Sequence, residues 1–393
     1  MGLLVKAKVL VIKQCLNYRK GSKCMIISKV EIALVNVPFT GALKTPVGIL
    51  SAANNVVVKI ISDSGEFGWG ESSPMAQITS DFQQSNYHIA QLFAKQILGK
   101  NPLAIDSRMN EINYLTVGDP SIRCAFDMAL YVLAAKVAKM PLYQFLGGEP
   151  RELRTNLTVG LQDTVEDSLK QAKSIFDAGF NAIKLKVGRS GLADIPHVKA
   201  VRELAGKDIS IKVDSNQGWD YPTAVKNILA LSELNIEYFE QPIAAWDHDG
   251  LKRLRLTTGQ PICADESVFN HRDAFKLLKA EAVDLLNIKL GKSGGIHTAL
   301  KINSIAEAAG VKCMIGCFGE SRLGLSAAAH LAMARPNIHY LDLDSAFHFK
   351  SDPVIGGLQY DEKIGGLIHL TDDFGHGASL DEMVMQQKWQ LSL

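Results

Sequence analysis

The stretch Ile183-Lys184-Leu185-Lys186-Val187-Gly188 carries two lysines on one side of a predicted β-strand. Side chains along a strand alternate between its two faces, so Lys184 and Lys186 point together while the apolar side chains point the other way. Taken alone, this pattern is also typical of an edge strand that shows its lysines to water. The spacing of similar strands along the chain favours a different interpretation.

Short β-branched segments that end in a charged or small residue recur at steps of 24 to 28 residues. In chain order, the residues at the ends of these segments are Val159, Lys186, Asp214, Glu240, Asp265, Lys289, Gly316 and Asp342. A strand, a helix and two connecting loops need about 25 residues, and helical periodicity lies between several of the segments. Eight such units predict an α/β barrel, in which chemistry takes place at the carboxyl ends of the strands.

The predicted barrel brings amines and carboxylates into one mouth. Strands 2 and 6 of an eight-strand ring are opposite each other, so Lys186 and Lys289 would face each other across it. Asp214, Glu240 and Asp265 fill the arc between them. Converging carboxylates repel one another unless a cation neutralises them, and open oxygen coordination suits Mg²⁺. The sequence therefore predicts a magnesium site flanked by two amines.

Such a site suits removal of a proton from the carbon next to a carboxylate. The metal stabilises the charge of the enediolate that forms, and a lysine whose pKa is lowered by a neighbouring cation serves as the base. We expect Lys184, beside Lys186 on the same face, and the metal to lower that pKa. The second amine, Lys289, can return the proton from the other face, which inverts the carbon.

Five motifs in register lie at the ends of strands 2 to 6. They are Lys184-x-Lys186, Asp214-Ser215-Asn216, Glu240-Gln241-Pro242, Asp265-Glu266-Ser267, and Asn287-Ile288-Lys289 with Gly294-Gly295. Together they are highly specific, and the chain from about Met25 onward resembles the enolase superfamily, within it the muconate lactonizing enzyme subgroup. The resemblance implies a Mg²⁺-dependent enzyme with a modified TIM barrel, (β/α)7β, and an α+β capping domain.

The resemblance divides the chain into four parts. We expect a basic extension at 1–24, the capping domain at 25–150, the barrel at 151–345, and a C-terminal segment at 346–393 that returns to the capping domain. The extension contains five lysines and one arginine but no acid, and its apolar run is too short for a secretory signal. We interpret it as a dispensable segment upstream of a natural start at Met25.

The segment Asp342-Leu343-Asp344 places two carboxylates on one face at the end of strand 8, opposite the metal arc. A loop cap is the alternative, since Asp is common there. Within the family the motif resembles that of dipeptide epimerases of the L-Ala-D/L-Glu type, in which it holds the α-ammonium group of the substrate. A dipeptide is longer than one amino acid by about 3.3 to 3.6 Å, which suits the span from metal to strand 8. The resemblance therefore implies an isomerase that inverts the α carbon of the C-terminal residue of a dipeptide, Ala-X.

The resemblance also assigns residues around the substrate. Lys184 is counted with Asp342 and Asp344 among the substrate-binding residues. Lys44, in a predicted mobile flap at 39–49, stands where Ala-Glu epimerases have an arginine for the distal carboxylate; a solvated loop lysine is the alternative. Phe318 replaces the methionine that commonly follows the cysteine, and an aromatic ring favours a small or apolar side chain on the substrate.

Two further residues are expected to support the site. Asn216 and Glu266 would orient the carboxylates and lysines, as partners of metal ligands do, with strand-end capping as the alternative. We interpret Gly291-Lys292-Ser293 as an ordinary turn, because a phosphate-binding loop would need a glycine where Leu286 stands.

Composition excludes several other classes of protein. The 393 residues carry a net charge of +1, which gives no indication of nucleic-acid binding. No apolar run approaches the roughly 18 residues of a membrane span. Six cysteines lack CxxC spacing and zinc-like histidine partners, which suits a reducing cytoplasm. We expect a small-molecule dipeptide as substrate and a homo-oligomer.

Other functions stay open at this point. A lyase of the same subgroup, such as o-succinylbenzoate synthase or muconate cycloisomerase, needs no ammonium anchor, and an N-succinylamino acid racemase is a neighbouring isomerase. A catalytically inactive barrel that only binds ligands is disfavoured, because the five catalytic positions are intact.

Overall fold

An antiparallel sheet and a helical layer form a capping domain over the barrel. The structure, a computed structural model, describes residues 24–46 and 48–393, so the predicted extension at 1–24 lies outside the described residues except for Cys24. The first elements are β1 (Ile27–Thr45), β2 (Gly48–Ser62), β3 (Phe67–Ser72), α1 (Ala76–Thr79), α2 (Gln83–Ile97), α3 (Ile105–Asn113), α4 (Pro120–Val137) and α5 (Leu142–Phe145).

The capping sheet packs on its helices through one apolar face. Alternate residues of β1 and β2, such as Ile32 and Val58, are buried against Phe93 and Phe126 of the helices. Helix α4 approaches β3 so closely that a Cβ at Gly70 would lie 1.9 Å from the carbonyl oxygen of Ala125. Only glycine fits at this contact.

The predicted flap at 39–49 is largely a β-hairpin, because β1 and β2 stay paired as far as Thr45 and Gly48. Leu43 pairs with Leu50 near the tip. Both leucines line the cavity described below, so period-two alternation continues through a stretch whose Gly, Thr and Pro content indicated a loop.

The barrel is an eight-stranded parallel sheet whose strands follow one another in chain order. After β4 (Leu153–Arg154), its strands are β5 (Leu157–Val159), β6 (Ala182–Lys186), β7 (Ser210–Asp214), β8 (Ile236–Glu240), β9 (Ile262–Ala264), β10 (Leu285–Lys289), β11 (Lys312–Gly316) and β12 (Ile338–Asp342). A parallel bridge between Thr155 and Leu341 nearly closes the ring.

Helices connect the barrel strands on the outside. They are α6 (Val165–Asp177), α7 (Ile195–Ala205), α8 (Tyr221–Leu231), α9 (His248–Thr258), α10 (His271–Lys279), α11 (Leu290–Ser293), α12 (Ile296–Ala308) and α13 (Arg322–Ala334). The predicted fold class, a (β/α)7β barrel with an α+β capping domain, is confirmed. Helix α9 was not among the predicted helices, because its polar sequence buries few apolar side chains.

The end of the chain returns to the capping sheet. Beyond the barrel lie β13 (Val354–Gly356), β14 (Gln359–Tyr360), β15 (Leu367–His369), β16 (Ala378–Leu380) and β17 (Gln386–Ser392). Strand β17 pairs antiparallel with β1, and β15 pairs with β4. Among the described residues, no helix combines the length and apolar character needed to cross a membrane.

Two buried carboxylates of the capping domain accept hydrogen bonds from the N-termini of barrel helices. Asp127 of α4 accepts from the backbone N–H groups of Ile296 and His297, where α12 begins. Glu71 of β3 accepts from the backbone N–H groups of Ser321 and Gly324, at distances of 3.1 and 2.8 Å, where α13 begins. Side-chain oxygens satisfy the otherwise unpaired N–H groups of a helix N-terminus, so these contacts fix the capping domain on the barrel.

Candidate active site

The strand-end residues predicted from the sequence meet at one rim of the barrel. Lys186, Asp214, Glu240, Lys289 and Asp342 are the last residues of β6, β7, β8, β10 and β12, and Asp265 directly follows β9. Because parallel strands all end at the same face of a barrel, their last side chains converge on one mouth.

The amines lie between the carboxylates. Lys186 Nζ is 2.5 Å from Asp214 Oδ2, and Lys289 Nζ is 2.8 Å from Asp265 Oδ2. Lys184 Nζ donates to Asp342 and also lies 3.9 Å from Glu240 Oε2. These seven side chains are almost completely withdrawn from water.

The carboxylates govern the protonation of these amines. Burial alone would lower the pKa of Lys289, but the carboxylates of Asp265, Glu240 and Glu266 together outweigh it and raise that pKa above the ordinary value of a lysine. Asp342 and Glu240 likewise raise the pKa of Lys184 against the effect of its burial. A cation among the carboxylates would weaken their attraction for the ammonium groups and move the amines back toward the range of a base.

The three carboxylates fit a divalent cation chemically, although their oxygens are now shared with amines. Within residues 24–46 and 48–393, no group of three or more Asp, Glu, His or Cys side chains lies close enough to hold an ion as it stands. The environment of Glu240 tests whether these residues fit a cation. Glu240 Oε1 accepts from Asn287 Nδ2 at 2.6 Å, whereas its buried Oε2 has no hydrogen-bond partner among the described residues.

An unsatisfied buried carboxylate oxygen costs about 1 to 3 kcal/mol or more, and a metal ion would satisfy it. Burial, together with the neighbouring charge of Asp214, raises the pKa of Glu240 to about 8. Hard oxygen donors of this kind suit Mg²⁺, so Asp214, Glu240 and Asp265 would hold it.

Asn216 and Glu266 lie beside these ligands. Asn216 Oδ1 accepts from Lys186 Nζ at 2.7 Å, and its backbone N–H donates to Asp214 Oδ1 at 2.9 Å. Its side-chain amide also donates to Glu266 Oε1 at 3.2 Å. Asn216 therefore fixes the position of the Lys186 amine relative to Asp214.

The two carboxylates of strand 8 have different partners. Asp342 accepts from Lys184 and, at 2.6 Å, from Asn156 Nδ2. Asp344 Oδ2 accepts from Thr158 Oγ1 at 2.6 Å. Both carboxylates line a cavity that also contains Lys186.

Sequence reasoning missed two residues in the barrel interior. Lys212 is buried and donates to Asn156 Oδ1 at 2.9 Å, which places both behind Asp342. Lys212 lies two residues before Asp214, so strand alternation could have indicated that it points into the barrel. Asn156 precedes its strand, and no pattern in the sequence distinguishes it.

Lys292 was also missed, and the predicted ordinary turn at 291–293 is wrong. Residues 290–293 form the helical turn α11, and the side chain of Lys292 is completely buried. Its amine lies 2.7 Å from Asp265 Oδ1. Lys289 still belongs to strand β10, so no helical periodicity relates the two lysines, and the sequence pattern did not indicate the contact.

The cavity above the lysines is walled by apolar side chains. These are Phe39, Leu43, Leu50, Met75, Ile78 and Phe318. The ring of Phe318 has its centroid 4.7 Å from Lys289 Nζ. Lys44 is not brought together with the other predicted residues, because its amine lies 2.6 Å from Asp163 Oδ2 on the exposed side of the hairpin.

Comparison with known proteins identifies the family. Residues 27–147 match the mandelate racemase / muconate lactonizing enzyme N-terminal domain, and residues 167–384 match the enolase C-terminal domain-like family. The hydrophobic dipeptide epimerase of Enterococcus faecalis is 38% identical over 356 residues, which are 90% of this chain and 100% of that protein. The L-Ala-D/L-Glu epimerase of Bacillus subtilis is 39% identical over 340 residues, which are 86% of this chain and 93% of that protein.

A solved structure has the same fold. The crystal structure of the dipeptide epimerase from Cytophaga hutchinsonii, complexed with Mg and the dipeptide D-Ala-L-Val, matches with a TM-score of 0.90 and 36% sequence identity. The match covers 93% of this chain and 100% of that chain. The similar proteins are named as epimerases, which are isomerases that act on amino acid derivatives, and the chain is an isomerase of this class. It belongs to the enolase superfamily, with both the N-terminal and the C-terminal domain of the mandelate racemase and muconate lactonizing enzyme group.

Proposed function

We propose that the protein is a Mg²⁺-dependent dipeptide epimerase that inverts the α carbon of the C-terminal residue by proton transfer between two bases. The observation that carries this proposal is the placement of two amines on opposite strands, Lys186 on β6 and Lys289 on β10, at one rim of the barrel. An α carbon held between them can lose its proton to one amine and receive a proton from the other. Complexes of similar epimerases with Mg and dipeptides support the same reading.

The neighbouring side chains orient the two bases. Asn216 and Asp214 hold the amine of Lys186, and Asp265 holds that of Lys289. Mg²⁺ held by Asp214, Glu240 and Asp265 would bind the substrate carboxylate and stabilise the negative charge that develops when the α proton leaves. Each lysine must be neutral to accept a proton, so the enzyme alternates between two forms that differ in which amine carries the proton.

The far end of the cavity suits an α-ammonium group. Among the described residues, the one hydrogen-bond partner of Asp344 Oδ1 is the thiol of Cys317, at 3.8 Å. Asp342 retains acceptor capacity beyond its bonds to Lys184 and Asn156. Two carboxylates attract an ammonium and repel a second carboxylate. A site for an ammonium group at this end favours a dipeptide, which has a free amino terminus. The alternative substrates of the subgroup are N-succinylamino acids, o-succinylbenzoate precursors and muconate, and they lack a free ammonium group.

The walls of the cavity favour an apolar second residue. Leu43, Leu50 and Phe318 offer no donor for a distal carboxylate, and the amine of Lys44 is engaged by Asp163. Burying a Val or Leu side chain against such walls contributes about 1.5 to 3 kcal/mol. We therefore propose Ala-X dipeptides with a small or apolar X as the substrates.

The test is α-proton exchange in D₂O. The enzyme, with Mg²⁺ added, is incubated with Ala-Val, Ala-Leu, Ala-Phe, Ala-Glu and the N-succinyl derivatives of the same second residues. We expect deuterium at the α carbon of the second residue together with inversion, fastest for the apolar dipeptides. Exchange confined to the N-succinyl compounds would favour the racemase alternative, and exchange with none of them would refute epimerisation.

A further inference from the structure

Lys292 is a fully buried lysine, and each N–H donor of its ammonium group has one acceptor. An ammonium group has three N–H donors, and the three acceptors around this one are Asp265 Oδ1, the carbonyl oxygen of Asp265 and the carbonyl oxygen of Asn287. The carboxylate lies at 2.7 Å and the carbonyl oxygen of Asn287 at 3.0 Å. The amine therefore has no donor left for a substrate.

These bonds join the ends of two neighbouring strands. Asp265 directly follows β9, and Asn287 lies in β10 two residues before the base Lys289. The turn α11 and Gly294, whose φ of +79° favours glycine, bring Lys292 back beneath both strand ends. One amine thus sets the relative position of a carboxylate and a base.

The carboxylate of Asp265 is held in one orientation by two lysines. Its Oδ1 accepts from Lys292 at 2.7 Å, and its Oδ2 accepts from Lys289 at 2.8 Å. Rotation of the carboxylate about its Cβ–Cγ bond would break both contacts. Because Lys292 fixes Oδ1, it determines that Oδ2 faces Lys289 and the proposed metal site.

A structural role explains part of this burial. Lys292 donates to two backbone carbonyl oxygens, which an apolar side chain would leave without this partner, and removing its ammonium group from water costs several kcal/mol. The third donor goes to Asp265 Oδ1, so the same charge that joins the two strand ends also orients a proposed metal ligand.

We propose that Lys292 is a positioning residue for one half of the reaction: through Asp265 it aligns Lys289, and not Lys186, with the α carbon. The proposal rests on the two-base function proposed above. The Lys186 amine is held instead by Asp214 and Asn216, and none of its hydrogen bonds in the described residues involves Lys292. Loss of the Lys292 amine should therefore damage proton transfer on one face of the substrate more than on the other.

The experiment measures α-proton exchange in D₂O separately from the two stereoisomers of one apolar Ala-X dipeptide, for the wild type and for Lys292→Met, each at a Mg²⁺ concentration that saturates it. The isomer served by Lys289 is identified as the one that stops exchanging in Lys289→Ala. We expect its exchange rate to fall about 10- to 100-fold in Lys292→Met, as for other residues that orient metal ligands. The rate for the other isomer should fall clearly less.

Asn216→Ala is the matched control. Asn216 contacts Lys186 at 2.7 Å and so acts on the base opposite Lys289. Its removal should therefore reverse the asymmetry between the two isomers. Equal losses for both isomers in Lys292→Met, or no loss, would overturn the proposal. Lys292→Gln, which keeps two uncharged N–H donors, replaces Lys292→Met if thermal unfolding shows that the latter does not fold, with the same two criteria.

A second readout does not depend on turnover. Calorimetric titration with Mg²⁺ without substrate should show weaker binding by Lys292→Met than by the wild type, because one oxygen of Asp265 is no longer held. If the wild type exchanges no dipeptide, the proposed function fails, and this titration still tests Lys292. Unchanged Mg²⁺ affinity would then refute a role for Lys292 in orienting Asp265.

Discussion

Lys186 and Lys289 have separate partners, so removing one amine should leave the other functional. We expect Lys289→Ala to slow inversion by about 10²- to 10⁴-fold, the usual contribution of a general acid or base. Exchange of the α proton with D₂O should persist from the one stereoisomer that Lys186 serves. Proton NMR of both isomers in D₂O measures the two rates.

Asp214→Asn provides the contrast for that variant. Asp214 is one of the predicted ligands and also touches Lys186, so its loss should stop exchange from both isomers and weaken Mg²⁺ binding in a titration. Normal inversion by Lys289→Ala would refute the two-base scheme. Inversion by Asp214→Asn with unchanged Mg²⁺ affinity would remove Asp214 from the proposed metal site.

At the scale of single residues, the sequence indicated where the site residues lie in the barrel better than it indicated their hydrogen-bond partners. Lys186, Asp214 and Glu240 could be found because each ends a strand at a regular spacing. The burial of Lys292 could not be found in this way, since a lysine in a Gly-Lys-Ser turn has the same sequence whether it faces water or Asp265. Its orientation depends on how α11 packs, which is a tertiary property.

At the scale of elements, the β1–β2 hairpin is held to the barrel at its tip. The backbone N–H of Leu161 donates to the carbonyl oxygen of Lys44 at 2.9 Å, and Lys44 Nζ pairs with Asp163. We expect Asp163→Asn to release the lysine toward the cavity and to raise kcat/KM for Ala-Glu relative to Ala-Val. The shift should not exceed about fivefold, because exposed ion pairs contribute about 1 kcal/mol or less.

A double variant separates this effect from a general change in the hairpin. In the background Lys44→Ala, the substitution Asp163→Asn should leave the Ala-Glu to Ala-Val ratio unchanged. A shift that persists without Lys44 would show that the lysine does not reach the substrate. Steady-state kinetics on the two dipeptides for all four proteins gives the answer.

The elements themselves differed in how well their sequences indicated them. The barrel strands could be predicted because buried parallel strands are short apolar runs with regular spacing. The hairpin beyond Val37 could not, since Gly41, Thr45 and Pro46 are typical of a loop. Its tip is kept in register by the pairing of 43–45 with 48–50. Helix α9 escaped because its sequence is polar overall, although its buried residues Leu251, Leu254 and Thr258 lie at helical spacing.

At the scale of the whole molecule, the contacts between capping domain and barrel should depend on pH. Burial raises the pKa of Asp127 from its ordinary 3.8 to about 8, although the N–H groups of His297 and Ile296 and the charge of Lys301 lower it. In the unfolded chain the carboxyl ionises near 3.8, whereas in the folded protein it stays protonated to about pH 8. Ionisation therefore favours the unfolded state, and this contribution to stability falls as pH rises from about 4 to about 8.

Asp127→Asn tests this dependence, because an amide cannot ionise in either state. We expect its unfolding temperature, relative to the wild type, to rise steadily between about pH 4 and pH 8, since each unit of pKa difference corresponds to about 1.4 kcal/mol. Asp127→Ala also cannot ionise but leaves the N–H groups of α12 without an acceptor. It should be less stable than Asp127→Asn at every pH, by about 1 kcal/mol, with the same slope. The unfolding temperatures of the wild type and of Asp127→Asn could instead change in parallel from pH 4 to pH 8. That result would mean that Asp127 is ionised in the folded protein and joins the two domains as a charged helix cap.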